Sequence, residues 1–193
     1  QKLRVLVLPI TVQHFMLALV SATDAVMLGA VDQTSLSAVS LAGQIQFVLN
    51  LFISGIAAGS GIMAAQYWGK KDADSIEAVM PIALRANLVF SGFFTIAAAF
   101  VPEFLMLIFT NEAALVESGA MYLRAVALSY LLCGISQVYL ILLKNTGYAA
   151  VSSRISSTAV ALNVVLNAIL IFGLLGFPAL GIRGAAYATV CAR

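Results

Sequence analysis

The chain has 193 residues, of which 62% are hydrophobic and only 9% charged, and its formal net charge is +2. Soluble domains carry about 25% charged residues, so this composition excludes an ordinary soluble domain and predicts a protein built for lipid. The small net charge, with no basic run and no interleaved aromatic patch, excludes a nucleic-acid partner.

Apolar segments of membrane length follow one another along the chain, separated by short polar breaks. A helix needs about 20 residues to cross a bilayer; five segments are complete, and the sixth is too short to finish. We therefore predict an all-α membrane protein, a six-helix transmembrane bundle with its sixth helix truncated, within a longer chain. The predicted spans of this one domain, residues 1–193, are 5–29, 36–67, 81–101, 114–143, 155–172 and 181–193.

Small residues on the second span predict a face for close helix packing. Ser54, Gly55, Ala58 and Gly59 form a pattern of small residues four positions apart. Such patterns let two helix backbones approach each other within a membrane. We expect plain packing inside the bundle from this face.

The break between the second and third spans predicts a loop followed by a new helix. Pro81 is expected in the first turn of the third helix, where its missing N–H costs nothing. The polar residues before it are expected in a solvated loop: Lys70, Lys71, Asp72 and Asp74.

The basic residues predict the orientation in the membrane. They lie before the first span and around the two-three and four-five loops: Lys2, Arg4, Lys70, Lys71, Arg85, Lys144 and Arg154. The opposite side carries mostly acids: Asp32, Glu103, Glu112 and Glu117, with only Arg124 and Arg183 as basic residues. Because Lys and Arg accumulate on the cytoplasmic side, the N-terminus is predicted in the cytoplasm of a plasma (inner) membrane protein.

Asp24 is a lone carboxylate inside the first span. A charged side chain in a membrane helix costs a few kcal/mol or more, so such residues face a bundle interior, a watery cavity or a bound cation. The default inference is a membrane protein that couples to a cation.

Three further polar residues are expected at a depth similar to that of Asp24. Asn163 and Asn167 are spaced i, i+4 and share one face of the fifth span, and Thr189 lies about two turns into the sixth. Hard cations prefer oxygen ligands, so this set with Asp24 predicts a Na+ site. Alternatively, desolvation favours the neutral form of Asp24 and makes it a proton carrier. No resident cofactor is expected beyond the coupling ion.

Other polar or helix-bending residues of the spans have weaker interpretations. Pro9 is either a hinge in the first helix or merely part of its start. His14 either relays protons or holds a structural hydrogen bond, and with Gln13, Gln44 and Gln46 it is a candidate for lining a cavity. No paired carboxylates, His-rich metal cluster or nucleophile–base set is present, so we predict that the protein is not an enzyme.

Three parts of the sequence together resemble the amino-terminal lobe of the MATE (multidrug and toxic compound extrusion) transporters. They are Pro9 with Asp24, the loop Gln66-x-x-Gly69-x-x-Asp72, and the stretch NVVLNAILIFGLLGFPALGIRGAAYAT. The most specific matches lie in that last stretch: Asn163, Gly173, Gly176, Pro178, Gly181, Gly184, Ala188 and Thr189.

The resemblance implies a twelve-helix protein made of two six-helix lobes around a central cavity. Such proteins export organic cations and other drugs in exchange for Na+ or H+, so the implied partners are a small-molecule drug, the lipid bilayer and the chain's own carboxy-terminal lobe. By position, Asp24, Asn163, Asn167 and Thr189 match the family's polar residues on helices one, five and six. Some members carry Asp where this chain has Asn167, which leaves the coupling ion open.

Two alternatives to a drug antiporter remain. The first is a lipid-linked oligosaccharide flippase of related architecture, which is expected to show basic residues facing the cavity; the intramembrane charge here is acidic. The second is a membrane scaffold subunit with no transport cycle, in which Asp24 is paired structurally and its replacement only harms folding.

Overall fold

The computed structural model describes residues 11, 15, 22, 23, 25–30 and 32–193, and within these residues every regular element is helical. The all-α prediction is therefore confirmed for this part of the chain. Residues 25–30 are helical and are followed by six helices and a 3₁₀ turn between the last two. The elements are α1 (Gln33–Gly69), α2 (Ala73–Phe100), α3 (Pro102–Leu107), α4 (Ala113–Asn145), α5 (Ala149–Phe172), the turn Leu174–Gly176 and α6 (Ile182–Cys191).

Four of these helices are long and apolar enough to cross a membrane: α1, α2, α4 and α5. They correspond to the second, third, fourth and fifth predicted spans, while α3 is a short helix that follows α2, and α6 lies within the sixth predicted span. Many of their large apolar side chains remain exposed, among them Phe47, Phe93, Phe100 and Val165. Because only lipid or another apolar surface can cover such side chains favourably, the chain is an integral membrane protein.

The start of α2 corrects the prediction for Pro81. The helix begins at Ala73, and Pro81 lies inside it rather than in its first turn. Asp72 caps the helix, and Asp74 belongs to its first turn instead of a loop. Hydropathy marks where a segment becomes apolar, whereas the helix begins earlier, where a side chain can satisfy its free N–H groups. In the same way, α5 begins at Ala149, before the predicted residue 155.

The capping of α2 by a carboxylate predicts that the stability of the first turn of this helix depends on pH. The Ser75 hydroxyl and amide both donate to the Asp72 carboxylate, at 2.6 Å and 3.1 Å, and these bonds lower the pKa of Asp72. Because the pKa of Asp72 is lower in the folded protein than in the unfolded chain, the cap contributes its full stabilisation at pH values above the unfolded pKa of about 3.9. This stabilisation is lost as the pH falls through the folded-state pKa. Asp72→Ala should speed hydrogen exchange at Ser75 relative to wild type, and the difference should vanish at low pH. Asp74→Ala, which removes no cap, should leave that exchange rate unchanged.

The core of the bundle is centred on α4, which packs against α1, α2 and α3. Leu49 and Ile53 of α1 pack with Leu123, Val126 and Tyr130 of α4, and all five are buried. The short helix α3 is fixed to α4 by its buried Met106. A side chain at Gly119 of α4 would collide with this methionine, so the glycine leaves room for it. Close packing of this kind holds α3 at one end of the bundle.

The small-residue face predicted on the second span does not pack inside this bundle. Ser54, Gly55, Ala58 and Gly59 are exposed, and no described residue lies within 4 Å of a Cβ placed on either glycine. Gly61, a buried residue of the same helix, makes the close contact instead, against Ile141 and Asn145 of α4. The expectation that residues 54–59 pack within the bundle is therefore wrong: the pattern identifies small residues, but the register of α1 decides which of them face α4.

A glycine-rich turn folds α6 back onto α5. Gly173 ends α5 in the left-handed region (φ 72°), which glycine adopts without the steric cost of a Cβ. The Leu180 amide then donates to the Leu170 carbonyl at 2.9 Å. Gly184 lies so close to Leu170 that a Cβ would approach its carbonyl oxygen to 2.5 Å. The turn and the two contacts at Leu170 fix the position of α6 along α5.

Candidate functional site

The helix α5 has a polar buried face and apolar exposed faces. Ile155, Leu162, Val165 and Phe172 are exposed. The buried face carries five hydroxyl or amide side chains beside the apolar Ala149, Val160 and Ile171: Ser152, Ser153, Ser156, Asn163 and Asn167. A helix with its polar groups inside and its apolar groups outside suits a membrane protein whose interior handles a polar or charged solute.

The two amides of this face form a pair. Asn167 Nδ2 donates to Asn163 Oδ1 at 3.2 Å, across one turn of α5. Asn163 is 8% exposed and Asn167 only 1%, so the pair is shielded from bulk solvent. The predicted i, i+4 pair thus exists as a direct hydrogen bond. In a low-dielectric interior, such amide dipoles interact with a nearby charge more strongly than they would in water.

Thr189 lies at the level of this pair. It is half-buried on α6, and its hydroxyl donates to the Ala185 carbonyl at 2.9 Å. A helix rises about 1.5 Å per residue, so Thr189 is about 7.5 Å along α6 from Gly184. On α5, Asn167 is about 4.5 Å and Asn163 about 10 Å from Leu170. Because Gly184 packs on Leu170 and α6 runs back along α5, Thr189 lies between the levels of the two amides. Its hydroxyl oxygen can still accept a hydrogen bond or ligate a cation.

The remaining predicted site residues fall into two groups, those outside the described residues and the two glutamines of α1. Pro9, Gln13, His14 and Asp24 lie outside the described residues. The two glutamines of α1 are described: Gln44 is exposed and Gln46 is half-buried. Lining of a cavity by these glutamines stays a prediction.

Ser156 belongs to the same face of α5 and was missed in the sequence. Its hydroxyl is buried and has no hydrogen-bond partner among the described residues. By contrast, the Ser152 hydroxyl donates to the Leu140 carbonyl of α4 at 3.1 Å. Ser152, Ser156, Asn163 and Asn167 follow one another at intervals of four and seven residues, a spacing that would have marked this face as one polar stripe.

The chemistry available to this set is that of neutral oxygen ligands. Asn163, Asn167 and Thr189 carry no charge and do not titrate near neutral pH. They can ligate a hard cation or hydrogen-bond a carboxylate, but they cannot release or take up a proton themselves. Any charge at the site must therefore come from another residue, and in the sequence the candidate is Asp24.

A separate cleft of about 750 Å³ opens at the end of the bundle where α3, α4 and α6 begin. Its lining includes four charged residues but neither asparagine of the pair. An ion pair joins two of these residues: Arg124 Nη2 lies 2.6 Å from Glu103 Oε1. Its lining residues are far apart in sequence, and this cleft was not predicted.

Comparison with known proteins gives a family match and several relatives. The MatE family model matches residues 9–169. The chain is 29% identical, over 97% of its length, to the probable multidrug resistance protein NorM of Thermotoga maritima, of which it covers 40%. It is 26% identical, over 96% of its length, to the uncharacterized transporter YisQ of Bacillus subtilis, of which it covers 41%. The chain thus spans about two fifths of the length of these relatives.

Solved structures share the fold. A MOP superfamily transporter from Pyrococcus furiosus matches with a TM-score of 0.86 at 22% identity, over 97% of this chain and 40% of that one. An outward-facing multidrug resistance MATE family transporter of the MOP superfamily matches with a TM-score of 0.86 at 22% identity, over 97% and 41% of the two chains. At this identity the likeness establishes the fold alone.

Proposed function

Because the chain belongs to the MatE family, we propose that it is the amino-terminal lobe of an efflux transporter exchanging drugs or organic cations for Na+ or H+. The family match over residues 9–169 carries this proposal. The chain covers 40% of its Thermotoga maritima relative, which fits one lobe of a two-lobed protein. The carboxy-terminal lobe, the cell membrane and the exported compound are the proposed partners, and no chemical reaction is catalysed.

We propose that Asp24 carries the coupling ion with the help of Asn163, Asn167 and Thr189. The support is the buried hydrogen bond between the two amides and the level of Thr189 beside them. If the ion is Na+, the amide and hydroxyl oxygens complete its coordination around one carboxylate. If it is H+, the same groups hydrogen-bond the carboxylate and set the ease of its protonation.

The proposed cycle is an exchange between two conformations of the two lobes. Ion occupancy at Asp24 favours one conformation and drug occupancy of the cavity favours the other, because a ligand shifts an equilibrium only by its differential affinity for the two states. Pro9 is the proposed hinge of the first helix. The N-terminus is proposed to lie in the cytoplasm.

The test uses vesicles that contain the full-length protein and a fluorescent organic cation. Efflux is followed under a Na+ gradient, a H+ gradient or no gradient. We expect efflux under one of the two gradients in wild type, at least a tenfold loss in Asp24→Asn, and wild-type rates in Asp32→Asn, whose carboxylate caps α1 outside the site. No efflux from folded wild type under either gradient would contradict the proposal and favour the flippase or scaffold alternatives.

A further inference from the structure

The charged residues of the cleft between α3, α4 and α6 are an unusual concentration of charge in this chain. Only 18 of its residues are Lys, Arg, Asp or Glu, the sum of 10 basic and 8 acidic residues. Four of them line this single cleft: Glu103, Glu117, Arg124 and Arg183. Their formal charges cancel, so the cleft attracts neither cations nor anions as a whole. A ligand that carries both charges matches it better.

Two of the four charges are already used within the protein. Arg124 and Glu103 form the ion pair at 2.6 Å, with 56% and 49% of their side chains exposed. Glu117 and Arg183 make no ion pair within the part of the chain that the structure describes. The cleft therefore offers one carboxylate and one guanidinium to a ligand.

The surroundings of the cleft are those of a lipid-facing surface. Phe104, Leu107 and Leu128 lie beside the ion pair in sequence and are 66%, 51% and 53% exposed. Exposed apolar side chains beside exposed charged ones are typical of the level at which lipid headgroups meet the acyl chains.

The cleft also has a size and an apolar wall that suit an amphiphile. Its volume of about 750 Å³ lies within the usual range for small-molecule sites, about 300–1,000 Å³. Leu107, Val116 and Met121 line it together with the charged groups. The cleft lies at one end of the helices, where lipid headgroups meet the ends of membrane spans.

We propose that this cleft binds the headgroup of a zwitterionic aminophospholipid, phosphatidylethanolamine. The Arg183 guanidinium binds the phosphate, for which its planar set of N–H donors is well matched. The Glu117 carboxylate accepts hydrogen bonds from the primary ammonium group. The apolar wall receives the first methylenes of the acyl chains. Phosphatidylcholine binds less well, since its quaternary ammonium has no N–H to donate.

The test measures lipid binding to the full-length protein in detergent by native mass spectrometry. Phosphatidylethanolamine, phosphatidylcholine and phosphatidylglycerol are titrated separately, with soluble phosphoethanolamine as a competitor. We expect wild type to bind phosphatidylethanolamine about tenfold more tightly than phosphatidylcholine, a difference of about 1.4 kcal/mol. Glu117→Gln and Arg183→Gln should each remove most of this preference. Glu77→Gln and Arg85→Gln, which change exposed charges of α2 outside the cleft, should retain it.

Three results would overturn the proposal. Equal binding of phosphatidylethanolamine and phosphatidylcholine by wild type would exclude recognition of the ammonium group. A preference that survives in both cleft variants would place the lipid elsewhere. Displacement of the lipid by an equal concentration of phosphoethanolamine would assign the cleft to a free aminoalkyl phosphate instead of a membrane lipid.

Discussion

Replacing Asn167 with leucine is expected to reduce ion-coupled efflux by the full-length protein at least tenfold while leaving it folded. Asn167 is 1% exposed and holds the Asn163 carboxamide through a 3.2 Å hydrogen bond. Leucine has the same number of side-chain heavy atoms and the same branch at Cγ as asparagine. Hydrogen bonds between side chains in membranes contribute only about 0.6 kcal/mol on average, so the loss of this one should cost little stability. The loss should therefore appear in coupling rather than in stability.

Two further variants serve as a control and as a partial rescue for this prediction. Asn145→Leu removes an amide that, among the described residues, donates to its own helix at the Ile141 carbonyl, and this variant should keep wild-type efflux. Asn167→Asp offers carboxylate oxygens in place of the single amide oxygen, so it should recover part of the efflux that leucine removes. Wild-type coupling in Asn167→Leu would show that the amide pair takes no part in ion binding.

Replacing Gly184 with alanine is expected to destabilise the protein. Among the glycines that lie within helices and whose added Cβ would meet backbone atoms of another helix, it should give the largest loss of stability. The added Cβ would approach the Leu170 carbonyl oxygen to 2.5 Å and its carbonyl carbon to 2.6 Å. These are backbone atoms of α5, so the strain is relieved only by moving α6 away from α5. Overpacking of this kind costs about 1–3 kcal/mol.

Thermal unfolding of the full-length protein in detergent measures this effect. The melting temperature of Gly184→Ala should fall by several degrees, and efflux should fall with it because Thr189 moves together with α6. Gly92→Ala is the matched control, since nothing in the described part of the chain lies within 4 Å of a Cβ at Gly92. Alanine also favours a helix over glycine by about 1 kcal/mol, so the control should be neutral or slightly stabilised. An unchanged melting temperature in Gly184→Ala would contradict the close packing of α5 and α6.

The sequence predicted the helices well but not their ends. Composition and hydropathy identify apolar segments, and the structure has a helix in each segment that it describes. The ends depend on local hydrogen bonds instead. Asp72 caps α2 well before the apolar stretch that Pro81 opens, so Pro81 lies inside the helix. Likewise, small residues at positions 54–59 predict a packing face, but the register of α1 turns Gly61 to α4.

The candidate site was predictable only where its residues are close in sequence. Asn163 and Asn167 are four residues apart, so helical periodicity alone places them on one face. Ser156 lies on the same face, but serine is common in many settings and its burial became evident only in the structure. The cleft was not predictable, because Glu103, Glu117 and Arg183 are brought together by the packing of three helices.

Ion movement driven by a drug gradient is the most direct test of the exchange at Asp24. Full-length protein is reconstituted into proteoliposomes with equal Na+ and H+ on both sides, and an organic-cation gradient is the only driving force. The account predicts that wild type moves Na+ or H+ against the direction of drug flow, and that Asp24→Asn moves neither ion. Drug flow that continues in wild type without movement of either ion would contradict antiport.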